Sequence, residues 1–206
     1  MAARGVAAAD RRAPSRPAGG AARRRPGRRR GCGARGTLSG VPGTAVVRPS
    51  ARVVVLDPAG RVLLLRARLT DPDIPPGEVL FWYTPGGGVE DGESLRTAAV
   101  RELAEEIGLD VDPAALEGPV WLRRFVGPFA GVAFDNRETY FVLRDVVHEV
   151  DARGRTELEV LGDEPHRWWS AGEIAASSEE FAPRELAELL PALLDGPWTG
   201  VPRIVT

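Results

Sequence analysis

Three closely spaced glutamates are the residues of this sequence best suited to chemistry. Glu102, Glu105 and Glu106 follow a run of three glycines in the stretch TPGGGVEDGESLRTAAVRELAEEIGLDV. Like charges three or four residues apart destabilise a helix unless a positive charge compensates them. Mg²⁺ prefers hard oxygen ligands such as carboxylates, backbone carbonyls and phosphates. The spacing therefore indicates either a solvated acidic face or a site for a divalent cation.

The glycines before this segment favour the cation site. At about 100° per residue, the apolar residues Val100, Leu103 and Ile107 gather on one side of the predicted helix, and the glutamates lie roughly opposite. An acidic helix face alone is most often only solvated. A Gly-rich turn beside it can offer a backbone carbonyl and allow a diphosphate to approach, because glycine has no Cβ.

The helix that carries the glutamates has clear boundaries. Ser94 is a favourable N-cap residue and Gly108 can adopt the left-handed conformation that ends a helix. These residues predict a helix over Leu95–Ile107. The runs on either side of the turn at Asp57–Gly60 predict a β-hairpin.

Further strands and one more helix are predicted along the chain. The runs VLFWYT, PVWLRRFVG, ETYFVLRDVV and HRWWS have strand patterns. FAPRELAELLPALLDG predicts a helix with Pro183 in its first turn and Pro191 as a kink or break. Its core leucines would be Leu186, Leu189, Leu190 and Leu193. The order of strands and helices predicts an α/β fold with a mixed sheet packed between helices.

The Gly-rich turn and the helix resemble the Nudix box, G-x5-E-x7-R-E-U-x-E-E-x-G-U, where U is aliphatic. The matching residues are Gly87, Glu93, Arg101, Glu102, Leu103, Glu105, Glu106, Gly108 and Leu109. A looser resemblance to Nudix hydrolases extends from about Ala51 to Leu194. It implies an α/β/α sandwich and hydrolysis of the diphosphate linkage of a nucleoside diphosphate joined to another moiety, with Mg²⁺ or Mn²⁺ as cofactor.

The resemblance also implies the metal ligands. Glu102 and Glu106 would bind the metal directly together with the carbonyl of Gly86, and Glu105 would often bind through water. The metal would then offset the repulsion among the glutamates.

Two further groups of residues have roles implied by the same resemblance. Glu93 and Arg101 would form an ion pair behind the ligands that orients the loop. The main general base varies within the family, and some members take it from a later loop. Candidates there are Glu157, Glu159 and Glu164.

The sequence does not identify the substrate. Aromatic residues that could stack on a base, although most are expected in the core, are Trp82, Tyr83, Phe125, Trp168 and Trp169. His166 is expected to be a polar residue at the end of a strand. Arg124 and Phe125 stand where ADP-ribose enzymes of this family carry a proline, so that substrate is not indicated.

The same fold suits two other functions. One is a non-catalytic Nudix-fold regulator that senses a nucleotide and holds nucleic acid through a basic tail. The other is an isopentenyl diphosphate isomerase of the same fold. The complete motif disfavours both, because non-catalytic relatives usually have a damaged box and the isomerase box departs from this pattern.

Composition divides the chain into a basic tail and an acidic body. Among 206 residues, residues 1–40 carry a charge of +10 and the remainder −12. Residues 1–45 lack apolar periodicity and are expected to be a disordered tail, either simply solvated, attracted to nucleic acid or, as a minority reading, a transit peptide. Residues 46–206 would form the Nudix hydrolase domain. The oligomeric state stays open, a homodimer included.

Cysteine usage and hydropathy bear on location. Cys32 is the only cysteine, so no intrachain disulfide can form and a reducing, cytoplasmic location is expected. No apolar run approaches the roughly 20 residues that span a bilayer, so no membrane association is expected.

Deleting residues 1–40 is expected to leave kcat/KM on a small substrate within about twofold of the full chain, because the tail has no apolar face to pack on the body. Steady-state kinetics of the two forms measures this. A tenfold loss would show that the tail takes part in catalysis or folding.

Overall fold

Two mixed β-sheets and short helices form the part of the chain described by the computed structural model, which comprises residues 45–68, 80–129, 132–151 and 166–206. The strands are β1 (Val46–Val55), β2 (Val62–Arg68), β3 (Leu80–Tyr83), β4 (Gly86–Gly88), β5 (Glu117–Phe129), β6 (Val132–Leu143), β7 (His166–Trp169), β8 (Glu180–Ala182) and β9 (Arg203–Val205). The helices are α1 (Leu95–Ile107), α2 (Ala171–Ala176), α3 (Leu186–Leu189) and α4 (Pro191–Leu194), with a 3₁₀ turn at Pro113–Ala115. The predicted tail, apart from Ala45, lies outside the described residues.

The strands divide between a five-stranded and a four-stranded sheet. The first has the order β4-β1-β6-β5-β9 and the second the order β7-β2-β3-β8. Both are mixed, since β1 is parallel to β6 but antiparallel to β4, and β3 is parallel to β8 but antiparallel to β2. The mixed strand directions agree with the sequence prediction, whereas the division into two sheets was not foreseen.

Helices cover both sides of the strands. Val53 and Val55 of β1 belong to the core cluster that contains Leu103 and Ile107 of α1. Val54 belongs to the other cluster, which contains the leucines of α3 and α4. Because side chains alternate between the faces of a strand, α1 and the C-terminal helices pack on opposite sides. The α/β fold class with helices on both sides is confirmed.

The turn between β1 and β2 is present, but the predicted hairpin is wrong. Asp57 Oδ1 accepts a hydrogen bond from the Ala59 N–H at 2.9 Å, and Gly60 has a φ of 74°. Apart from one bridge between Leu56 and Val62, the two strands pair in different sheets. The reason is that β4 and β6 take both edges of β1, so β2 pairs elsewhere.

Helix α1 begins and ends where the sequence predicts. The Ser94 hydroxyl accepts a hydrogen bond from the Thr97 N–H at 3.1 Å. Gly108 adopts the left-handed conformation with a φ of 69°, and its N–H donates to the Ala104 carbonyl. These local caps set the position of the glutamates along the helix.

The C-terminal helical segment is shorter than predicted. Pro191 divides it into α3 and α4 as expected, and the predicted core leucines are all buried. Pro183 is not in the first turn, because β8 stays extended through its pairing with β3 up to Ala182 and the helix starts only at Leu186. Within the described ranges, no helix is long and apolar enough to cross a bilayer.

A largely buried charge network connects β1, β5 and β6. Glu138 accepts hydrogen bonds from Arg52 Nε at 3.3 Å, Arg123 Nη1 at 3.1 Å and the Tyr140 hydroxyl at 2.8 Å. Burial by itself would raise the pKa of Glu138, but the two guanidinium groups outweigh it and hold the pKa below its ordinary value. The carboxylate therefore stays charged and balances both arginines.

Glu138→Gln is expected to lower the free energy of unfolding by about 3 kcal/mol, because it leaves two arginines without their shared carboxylate. The folded-state pKa of Glu138 lies below the ordinary 4.5, so its stabilisation is present above that value and is lost as pH falls through the folded-state pKa. Urea unfolding at neutral pH and at a series of acidic pH values measures this. The variant should have a lower free energy of unfolding at neutral pH and a smaller decrease in that free energy as the pH falls. Equal stability of the two proteins at neutral pH would contradict the expectation.

Candidate active site

The Gly-rich strand β4 lies directly against the acidic side of α1. Glu106 Oε2 accepts a hydrogen bond from the Gly86 N–H at 2.7 Å, and the Tyr83 hydroxyl donates to Glu106 Oε1 at 3.5 Å. The Gly86 carbonyl accepts a hydrogen bond from the Arg52 guanidinium. Gly86 is therefore held at its N–H by the helix and at its carbonyl by β1.

This contact also corrects the helix-wheel interpretation. The wheel groups Glu106 with Glu102 and Glu105 on the side away from the core, but Glu106 is only 7% exposed. The reason is that β4 covers its carboxylate, whereas Glu105 projects into solvent.

Two glycines of β4 allow neighbouring groups to approach the strand closely. A Cβ at Gly87 would lie 2.5 Å from Glu102 Oε1. A Cβ at Gly86 would collide with the Ala51 carbonyl, and Gly86 has a φ of 129° that favours glycine. The absence of a side chain at Gly87 leaves the space in which the Glu102 carboxylate lies, and its absence at Gly86 lets β4 lie close to β1.

Arg101 compensates the charge of the acidic cluster. Its guanidinium forms a two-point ion pair with Glu93, with both distances 3.1 Å. It also donates to Glu102 and Glu105 at 3.0 Å and to the Gly88 carbonyl at 2.8 Å. The ion pair expected between Glu93 and Arg101 is present, and the same arginine ties α1 to β4.

The pKa shifts show which carboxylates are already compensated. The hydrogen bond from Arg101 holds the pKa of Glu93 below its ordinary value. Burial raises the pKa of Glu102, the nearby charge of Glu105 adds to the rise, and Arg101 opposes it. An additional positive charge beside Glu102 would therefore be favourable.

The donor set suits a divalent cation in its chemistry. Three carboxylates and the Gly86 carbonyl are hard oxygen donors, and Gly87 leaves the backbone open beside Glu102. In the described ranges, however, no group of three or more Asp, Glu, His or Cys side chains is arranged so that it could hold a metal ion. Instead, Glu102 and Glu105 contact Arg101, and Glu106 contacts Gly86. The predicted roles of Gly86, Glu102, Glu105 and Glu106 as metal ligands stay predictions.

The other sequence candidates lie in different environments. Trp82 and Trp169 are core residues and Phe125 is exposed, so fewer of the aromatic candidates are buried than expected. The residues of intermediate burial are Tyr83, His166 and Trp168. The base candidates Glu157, Glu159 and Glu164 lie outside the described residues.

Arg52 is a site residue that the sequence interpretation missed. Besides Glu138 and the Gly86 carbonyl, its guanidinium contacts the Thr84 carbonyl at 3.4 Å and the Tyr83 ring, whose centroid is 5.3 Å away. Burial would lower the pKa of Arg52, but the surrounding acidic groups, chiefly Glu138, raise it above its ordinary value. The available signal was an arginine within the apolar run ARVVVL, since a buried charge must be paired.

Comparison with known proteins agrees with this fold. The NUDIX domain model matches residues 46–193. An RNA pyrophosphohydrolase of Dinoroseobacter shibae is 40% identical over 83 residues, which cover 39% of this chain and 48% of the relative. An RNA pyrophosphohydrolase of Pseudomonas putida is 28% identical over 159 residues, which cover 71% of this chain and 94% of the relative. The solved E. coli dihydroneopterin triphosphate pyrophosphohydrolase is similar in fold, with a TM-score of 0.50, 23% identity and coverage of 73% of this chain and 99% of that chain.

The chain therefore belongs to the Nudix family, as a Nudix pyrophosphohydrolase. Nudix hydrolases generally use divalent metal ions. The oxygen donors beside β4 are the described groups that suit such an ion.

Gly87→Ala is expected to lower kcat by about 10²-fold with little effect on the fold, because the added Cβ would displace the flexible Glu102 carboxylate from its position. Gly172→Ala in α2 is the control, since a Cβ there meets no atom within 4 Å. Steady-state hydrolysis and thermal unfolding of both variants measure the effect. Near wild-type turnover by Gly87→Ala would mean that the placement of Glu102 against β4 does not matter for catalysis.

Proposed function

We propose that this enzyme hydrolyses the diphosphate linkage of a nucleoside diphosphate joined to another moiety, with Mg²⁺ or Mn²⁺ as cofactor. The observation that carries the proposal is the holding of Gly86 between Glu106 and Arg52, next to the Glu102 carboxylate. A backbone carbonyl and the carboxylates of Glu102 and Glu106 thereby lie at one strand. Such a set of oxygen donors suits a cation that also binds phosphate.

Residues of both β4 and α1 would bind the metal. The Gly86 carbonyl and the carboxylates of Glu102 and Glu106 would be direct ligands, and the more exposed Glu105 would act through water. A bound divalent ion would polarise a phosphoryl oxygen and lower the pKa of a water molecule. The charge of Glu102, which burial disfavours, would be stabilised by the same cation.

Glu93 and Arg101 would keep these ligands in position. Glu93 and the Gly88 carbonyl hold the Arg101 guanidinium on one side. Its remaining N–H group is thereby aimed at Glu102 and Glu105. Loss of Glu93 would free the arginine to move without removing a metal ligand, so its effect on turnover should be smaller than that of losing Glu106.

The charge of the body supports delivery of the substrate as a metal complex. Residues 41–206 carry a charge of −12, and such a body repels a free polyphosphate. A cation bound to the substrate reduces this repulsion.

The relatives favour a second candidate substrate. Because they are RNA pyrophosphohydrolases, a diphosphate linkage at the end of an RNA chain is the alternative to a small nucleotide derivative. Both substrates present a diphosphate next to a nucleoside.

The domain division and location belong to the same proposal. Residues 46–206 would be the catalytic domain, which the family match over residues 46–193 supports, and residues 1–45 a tail outside it. The single cysteine favours the cytoplasm. A non-catalytic sensing role is disfavoured because every carboxylate of the motif is present.

Glu106→Gln is expected to lower kcat by roughly 10³-fold or more, because it removes a charge that would hold the cation. The amide retains an oxygen that can accept a hydrogen bond from the Gly86 N–H, so the unfolding temperature without metal should be unchanged or slightly raised. Glu93→Gln is the graded comparison, with an expected loss of about 10 to 100-fold.

The assay uses nucleoside triphosphates, nucleotide sugars, ADP-ribose, dinucleoside polyphosphates and NADH, with released phosphate or monophosphate as readout. Activity should disappear with excess EDTA and return with Mg²⁺ or Mn²⁺. Hydrolysis that persists in excess EDTA would exclude the metal-dependent mechanism. Near wild-type turnover by folded Glu106→Gln would exclude this metal site.

A further inference from the structure

One row of side chains crosses three strands of the five-stranded sheet. Arg48 of β1 lies opposite Asn136 of β6, which in turn lies opposite Phe125 of β5. Directly opposed residues on neighbouring strands share a face of the sheet. The row therefore aligns a guanidinium, a carboxamide and an aromatic ring.

Contacts between neighbouring residues identify the face of this row. Arg123 lies over the Phe125 ring, 5.6 Å from its centroid, and binds Glu138 at 3.1 Å. Glu138 also binds Arg52, whose guanidinium donates to the Gly86 carbonyl. The row thus lies on the same face of the sheet as Arg52, which is the face opposite α1. From that face Arg52 reaches the Gly86 carbonyl at the edge of the candidate active site.

One end of the row adjoins the Gly-rich strand. A Cβ at Gly88 would lie 3.1 Å from the Arg48 guanidinium. Neighbouring strands are about 4.8 Å apart, so Phe125, two strands away, lies about 10 Å from Arg48 across the sheet. This span is comparable with the reach from the phosphate to the base of a nucleotide.

The exposure of Phe125 also distinguishes it from the core aromatics. It is 43% exposed, whereas Trp82 and Trp169 are 1% and 3% exposed. Core packing therefore does not account for the position of the ring. Aromatic side chains beside a phosphate site provide surfaces on which bases stack.

We propose that Arg48, Asn136 and Phe125 form a nucleobase subsite, an inference that rests on the proposed function. Phe125 stacks on the base, and Asn136 hydrogen-bonds to its edge, because a carboxamide offers both donors and an acceptor. Arg48 is at the phosphate end, beside β4. The base belongs either to a free nucleotide or to the first nucleotide of an RNA chain.

The strand itself offers a matched control. Val126 follows Phe125 in β5 and is also exposed, at 56%. It lies opposite Asp135, whose carboxylate binds Arg124 and Arg137 on the other face of the sheet. Phe125→Ala and Val126→Ala therefore remove neighbouring apolar side chains from opposite faces.

Calorimetric titration of the full chain with Mg²⁺ tests the subsite. The ligands are AMP, GMP, CMP and UMP, with ribose 5-phosphate as the ligand without a base. We expect the wild type to bind at least one nucleotide more tightly than ribose 5-phosphate. Phe125→Ala should weaken the binding of that nucleotide by about 10-fold, the range of one base stacked on an aromatic ring. The affinity for ribose 5-phosphate should be unchanged.

Any of four results would overturn the subsite. Two of them are no preference of the wild type for any nucleotide over ribose 5-phosphate, and binding of nucleotides by Phe125→Ala as tight as that of the wild type. The other two are the same loss of nucleotide affinity in Val126→Ala and an equal loss of ribose 5-phosphate affinity in Phe125→Ala. Thermal unfolding checks that each variant is folded. Asn136→Ala provides independent evidence, since it should reduce the differences in affinity among the four nucleotides, and unchanged differences would remove Asn136 from the subsite.

Two further measurements separate the remaining questions. The first uses a short oligoribonucleotide with a 5′-monophosphate. If it binds more tightly than the mononucleotides and loses affinity in Phe125→Ala, the subsite binds an RNA end. If its affinity equals that of the mononucleotides, the subsite binds a free nucleotide. If the wild type hydrolyses no diphosphate but Phe125→Ala still loses nucleotide affinity, the proposed function fails and the subsite stands. If hydrolysis occurs and Phe125→Ala binds like the wild type, the subsite alone fails.

Discussion

The close approach of β4 to α1 is the constraint on which the site depends. A side chain at Gly86 or Gly87 would collide with the neighbouring strand or with Glu102. Glycine costs conformational entropy on folding, and hydrogen bonds to both polar groups of Gly86 compensate part of that cost. Leu103, buried in the core, holds the opposite side of the helix. Core packing therefore sets the distance between the backbone and the carboxylates.

Two arginines balance the negative charge on either side of β4. Arg101 donates to the Gly88 carbonyl and to the outer glutamates, whereas Arg52 donates to the Gly86 carbonyl and to Glu138. Each arginine therefore ties the Gly-rich strand to a carboxylate. With this compensation the acidic helix can fold without a bound cation.

The five-stranded sheet connects this edge to a wider surface. Its strand β1 pairs with β4 on one side and with β6 on the other. Residues that hold the reacting group can thus lie at the edge of the sheet, while residues that contact the rest of a substrate lie across its face. Because the strands are rigidly paired, distances between the two groups are set by strand spacing and register.

Features that depend on near neighbours along the chain could be predicted from the amino-acid sequence alone. The ends of α1 follow from Ser94 and Gly108, and the pairing of Glu93 with Arg101 follows from the motif, because both involve residues close along the chain. Packing between elements sets the strand partners of β1 and β2, the contacts of Arg52 and the burial of Glu106. These features depend on residues distant in sequence, as in the contact between Glu106 and the Gly86 N–H across 20 positions. Local patterns specify an element and its ends, but which strand edge is available and which carboxylate is covered depend on how the elements pack.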